Sequence, residues 1–147
     1  MIVAPAVAAL LAGTPEIGTQ EQAFPFVTVD PEGFPHAALL SRMEVEVGAG
    51  NADLRAAIRS TRTRANLDRD GRAALIAVEG RTAHYVKLRL VRSRVVHDLL
   101  ACVFEVVEHK PDSMGIALTP ILYDVSAEIA RAERWDTTAE AFRLLPR

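Results

Sequence analysis

The chain has 147 residues, half of them hydrophobic and 24% charged, which fits one soluble globular domain with a core and is too short for two ordinary ones. Its single cysteine, Cys102, excludes an internal disulfide framework and a cysteine-based zinc site. The net charge of −2 hides an asymmetry: between Arg55 and Arg94 lie eleven Lys/Arg against three acids, and elsewhere six basic residues against sixteen acids. A basic middle in an acidic protein points to a local anionic ligand or to solvated strand faces.

The apolar start, residues 1–12, is shorter than the roughly 20 residues that span a bilayer and lacks the basic opening of a secretory signal. It reads as a short packing helix, with Pro5 in its first turn and Gly13-Thr14-Pro15 as its stop, in a cytoplasmic protein with no membrane partner. Phe24 to Val29 is rich in β-formers and runs into the turn Asp30-Pro31-Glu32-Gly33. Pro35 to Ser41 leaves that turn as a second strand. Met43 to Val47 alternates polar and apolar residues and is expected to continue or extend that strand as far as the break at Gly48-Ala49-Gly50-Asn51. Leu54 to Arg59 alternates again, a third strand with one wet face.

At Ser60 the pattern changes. Ser60 or Thr61 can cap a helix of about two turns that Asp70-Gly71 ends. Arg72 to Val78 is a fourth strand, Glu79-Gly80 a turn, and Thr82 to Val96 a long alternating strand. Ala101 to Glu108 is a sixth strand, residues 110–115 a loop, and Ile121 to Val125 a last short strand, with helical material from Ser126 to Leu145. With no internal repeat or linker, residues 1–147 read as one mainly β domain with peripheral α-helices, a six-stranded small barrel.

The segment Ile58 to Leu67 concentrates the chemistry. A helix N-terminus offers unpaired backbone N–H groups and a partial positive charge, so it favours an anion. Ser60, Thr61 and Thr63 add hydroxyl donors, and Arg62 and Arg64 add guanidinium groups suited to phosphate oxygens. Two arginines in a first turn oppose the helix dipole, a repulsion that a bound phosphate reverses. The same residues also suit an ordinary capped helix with exposed arginines.

The run Val27 to Ser41 resembles the opening hairpin of the pyridoxamine 5′-phosphate oxidase-like, FMN-binding split-barrel family. The run Ser60 to Leu75 resembles its phosphate-binding turn, helix and following strand. Order and spacing fit, over roughly three quarters of the chain. The resemblance implies a split β-barrel, a homodimer with FMN between the subunits, and an isoalloxazine edge along Leu39, Leu40 and Ser41. It places the phosphate on Thr61, Arg62 and Thr63. With the helix-terminus residues, the candidate cofactor-binding set is Leu39, Leu40, Ser41, Ser60, Thr61, Arg62, Thr63, Arg64 and Asn66; catalytic residues are unassigned.

Three departures from the family pattern matter. Thr63 stands in place of a lysine, a lost cation for which Arg64, Lys87 or Arg89 would compensate. Ser41 stands where the oxidase has a lysine reaching the flavin. The oxidase's C-terminal Trp-to-Arg signature has no match in residues 135–143, so pyridoxamine phosphate oxidation is not expected. The implied function is an FMN-dependent oxidoreductase of unknown small-molecule substrate. The alternatives are a flavin-binding or sensing module without turnover, and a split-barrel protein using a deazaflavin or haem.

The histidines at 36, 84, 97 and 109 show no metal-ligand spacing, so no metal is expected. His36 opens the second strand and can lie near a flavin, His84-Tyr85 can cap the barrel, and Trp135 reads as an anchor for a C-terminal helix. Scarce aromatics and the lack of a recognition motif argue against a nucleic-acid partner.

Overall fold

In the computed structural model, which describes residues 1–146, the elements follow in the order α1 (Pro5–Leu11), β1 (Gln20–Gln22), β2 (Phe24–Val29), β3 (Pro35–Leu40), β4 (Val45–Val47), β5 (Leu54–Ile58), α2 (Thr61–Asp70), β6 (Arg72–Glu79), β7 (Thr82–Val96), β8 (Leu99–Ser113), β9 (Leu122–Asp124), α3 (Ala127–Ala132) and α4 (Trp135–Arg143). Seven strands form one antiparallel sheet in the order β3-β2-β6-β7-β8-β5-β4, and β1 pairs with β9 apart from it. The sheet curls into the split-barrel shape, helped by two irregularities in the β7–β8 ladder at Lys87/Leu88 and Leu90/Arg92.

The core rests on strand alternation. Phe24, Phe26, Leu75, Val86, Leu88, Cys102 and Phe104 point inward, with the Phe26 and Phe104 rings edge-to-face at 5.7 Å. Helix α1 packs Val7 and Leu11, with Val3 just before it, into this core. Cys102 is buried, which pushes its thiol up to about 12, so it stays protonated and unreactive.

The β2–β3 hairpin forms because Asp30 Oδ1 accepts the N–H groups of Glu32 and Phe34 and Gly33 takes φ +88°. Three expectations need correction. First, Met43 to Val47 does not continue β3. A 3₁₀ turn over Arg42–Glu44, held by Ser41 N–H donating to Glu44 Oε1 at 2.9 Å, redirects the chain. Val45–Val47 then pairs with β5 at the opposite sheet edge, which makes the sheet seven-stranded rather than six.

Second, β5 has no wet face. Helix α4 covers its outer side, where Ala57, Ala101 and Val103 meet Ala141 and Phe142, and Arg55 is only 5% exposed between Asp53 and the Pro146 carbonyl. Third, β8 runs through residues 110–113 rather than looping there. Beyond Phe104 it is paired to β7 alone, and a strand with one free edge tolerates Pro111. The helical material expected from Ser126 onward is present as two helices, α3 and α4, separated where Arg134 takes φ +48°.

Candidate functional site

Helix α2 is capped as its sequence predicts. Ser60 Oγ accepts from Thr63 N–H at 3.2 Å, and Gly71 closes the helix in the left-handed region at φ +67°. Arg64 N–H bonds the Ser60 carbonyl, so the amides of Thr61 and Arg62 have no partner within the helix. Thr61 and Arg62 are exposed, and neither side chain has a bonded partner among the described residues. Thr63 is fully buried, and its hydroxyl has no hydrogen-bond partner among the described residues.

The remaining polar residues of α2 hold it in place. Asn66 Nδ2 donates to Thr28 Oγ1 at 2.9 Å in the interior, while Asn66 Oδ1 accepts from Arg69, which also bonds the Val29 carbonyl. Arg64 reaches the Asp98 carbonyl at 3.3 Å. These ties fasten α2 across β2 at one side and the β7–β8 turn at the other. Lys87 and Arg89, the other suggested compensating cations, form exposed pairs with Glu108 (2.7 Å) and Glu105 (3.1 Å) across β8.

Leu39, Leu40 and Ser41 lie elsewhere, on a cleft of about 300 Å³ shared with Ala23, Glu44, Tyr123, Ile129, Glu133 and Trp135. Arg59, just before the α2 cap, connects the two regions. Its Nη1 is 3.9 Å from Glu133 Oε2 on the cleft, and its Nη2 donates to the Arg134 carbonyl and Thr138 Oγ1 at 3.3 Å each. Burial raises the Glu44 carboxyl above its usual range, opposed by hydrogen bonding from Ser41 and, more weakly, by Arg59. Burial also raises Tyr123.

Sequence reasoning missed Arg59, Glu44, Tyr123 and Glu133 as neighbours of this region. Only the Ser41-x-x-Glu44 spacing, a capping-box signature, was a readable signal. A larger cleft of about 580 Å³ lies between α1, β4 and α4 and includes none of the candidate residues. His84 is 5% exposed at the barrel end, stacked on His109 with Nδ1 and Nε2 2.9 Å apart. Among the described residues no group of three or more His, Cys, Asp or Glu is placed to hold a metal, and no helix is long and apolar enough to cross a membrane.

No protein-family model matches the chain. An uncharacterized protein of Bacillus subtilis (strain 168), YclD, is 40% identical over 70 residues, which cover 47% of this chain and 45% of that protein, so the match spans about half of each. Solved structures align over more of the chain at low identity. The flavin reductase of styrene monooxygenase from Pseudomonas putida S12 superposes with a TM-score of 0.57 at 10% identity, over 82% of this chain and 93% of that one. An F420 reductase gives 0.53 at 11% identity, over 66% and 98%. Flavoredoxin of Desulfovibrio vulgaris (Miyazaki F) gives 0.51 at 10% identity, over 78% and 91%. At these identities the likeness is one of fold: the chain has the split-barrel fold of the pyridoxamine 5′-phosphate oxidase-like proteins.

Proposed function

We propose that this split barrel binds FMN and works as a flavin-dependent oxidoreductase, with the phosphate at the N-terminus of α2 and the ring edge along Leu39, Leu40 and Ser41. The observation that carries the reading is the state of the α2 N-terminus. Two backbone amides lack helical partners, the Arg62 guanidinium is unpaired among the described residues, and Thr63 holds a fully buried hydroxyl with no partner. That donor set fits a dianionic phosphate. The likeness to a flavin reductase and a flavoredoxin supports the same reading.

Bound flavin supplies the redox chemistry. The chain's own residues anchor and orient. Thr61 and Arg62 offer donors to the phosphate, Ser60 preserves the helix end, and Asn66 and Arg64 fix the helix against β2 and the β7–β8 turn. In this reading a second copy of the chain completes the pocket. The outer face of β3, β2 and β6, where Pro25 pairs with Leu39 and Val27 with Ala37 and Ala74, supports a homodimer.

The likeness to an F420 reductase favours a deazaflavin as the second reading. Titration of the purified protein with FMN, and separately with the deazaflavin, decides between them. Stabilisation on melting and retention through desalting with FMN alone is the expected result. Retention of the deazaflavin alone moves the assignment to it, and retention of neither defeats both.

A further inference from the structure

The larger cleft, of about 580 Å³ between α1, β4 and α4, contains none of the residues assigned to the flavin. Its volume lies well inside the range of small-molecule pockets, roughly 300–1,000 Å³. Part of its lining is apolar: Leu11 from α1, Met43 and Val47 from the 3₁₀ turn and β4, and Phe142 from α4. The same lining carries three guanidinium groups, from Arg42, Arg55 and Arg143, and one carboxyl, Glu46.

The hydrogen bonds these groups already make narrow the ligand. Arg55 is buried and fixed from two directions: its Nε donates to Asp53 Oδ1 and its Nη2 to the Pro146 carbonyl, both at 2.9 Å. Its Nη1 has no bonded partner among the described residues. Arg42 is paired with Glu21 at 2.7 Å, yet its buried Nε is unbonded among the described residues. Arg143 is exposed at the end of α4 and has no bonded partner among them. The carboxyls, by contrast, are taken: Glu21 by Arg42, Asp53 by Arg55, and Glu46 is partnered too. The open groups are therefore donors, and a ligand that fits them presents acceptor oxygens. A guanidinium fork matches the two oxygens of a carboxylate. Glu46 limits the charge, because a dianion would set its second negative charge against that carboxyl.

We propose that this cleft binds a monocarboxylate with a compact apolar body, its carboxylate on Arg55 Nη1 and Arg143 and its body on Leu11, Met43 and Phe142. Asp53 and Pro146 hold Arg55 in place before the ligand arrives, so little side-chain freedom is lost on binding. The site stands apart from the flavin reading and does not depend on it.

The probes are 2-naphthoate and its uncharged counterpart, 2-naphthamide, titrated into flavin-free protein. The chain has three methionines, of which Met1 is 75% and Met114 42% exposed, whereas Met43 is half-buried on the cleft. Protein labelled with ¹³C at the methionine methyls therefore reports on the site directly. The Met43 signal, identified by its absence in Met43→Leu, is expected to move saturably with 2-naphthoate while the other two stay in place. 2-Naphthamide, without the charge, binds about tenfold more weakly or less. Arg143→Gln removes an exposed group that ties nothing in the fold together, and it weakens 2-naphthoate binding about tenfold. Ala139→Phe fills the cleft from α4 and abolishes the saturable movement.

The proposal is overturned if 2-naphthoate leaves the Met43 signal in place, if 2-naphthamide binds as tightly, or if Arg143→Gln keeps the affinity of the parent. An Ala139→Phe variant that melts cooperatively and still binds 2-naphthoate also overturns it. So does displacement of 2-naphthoate by FMN, which would put the probe on the flavin site. Flavin retention is read separately from the visible spectrum. A protein that keeps FMN and ignores 2-naphthoate therefore loses only this inference, and one that binds 2-naphthoate but never FMN loses only the flavin reading.

Discussion

Replacing Thr63 by valine tests the phosphate role proposed for its hydroxyl. Valine keeps the branched shape at a fully buried position and deletes a hydroxyl that has no partner among the described residues. An unsatisfied buried polar group costs about 1–3 kcal/mol, so the flavin-free variant is expected to gain stability of that order. For a chain of this size each kcal/mol corresponds to about 2–4 °C in melting temperature, a rise of several degrees.

With FMN present the sign reverses. A hydrogen bond to a charged phosphate is worth about 1.5–3 kcal/mol, so the variant binds FMN about 10- to 100-fold more weakly. The assay pairs thermal melts without flavin with calorimetric FMN titration of both proteins. A variant that melts below the parent and binds FMN with unchanged affinity would refute the assignment of that hydroxyl to the phosphate site.

Asn66→Ala strands the buried Thr28 hydroxyl and loosens α2 from β2, so urea unfolding should show a loss of about 1–3 kcal/mol. His84 has its pKa lowered by burial and by His109, against a weaker pull from Glu79. The unfolded chain therefore takes up the proton first, and stability falls as pH drops below the usual histidine value of about 6.5. Urea midpoints at pH 7.5 and 5.5 should differ for the parent and differ less for His84→Gln. Val27→Lys places a charge on the outer face of β2. In light scattering it should move the mass from twice 16.0 kDa to 16.0 kDa and lower FMN retention with it.

Where local chemistry alone decides a structure, the chain is readable. Asp30-Pro31-Glu32-Gly33 dictates a hairpin whatever lies beyond it, and Ser60 with Gly71 brackets α2 within the residues its capping pattern marks. Where tertiary partners decide, the same patterns are ambiguous. The alternation of Met43 to Val47 fits either sheet edge, and only the Ser41–Glu44 turn sends it to β5. Polar Gln20–Gln22 gives no strand signal, because its pairing depends on β9. Arg55 reads as a solvent-facing residue until α4 and the Pro146 carbonyl cover it.

The candidate site divides along the same line. The residue types of the α2 N-terminus mark a capped helix end rich in donors, because caps and first-turn donors are local in sequence. The cleft beside Ser41 is not local. Glu44, Tyr123 and Trp135 come from a turn, a two-stranded ribbon and the start of α4, and no spacing rule links them.

The central claim is tested most directly by the visible absorption spectrum of the purified protein after FMN addition and desalting. The account predicts retained flavin bands that disappear in the Thr61→Ala/Arg62→Ala double variant. A protein that remains colourless after FMN addition, or a double variant that keeps the bands, would contradict it.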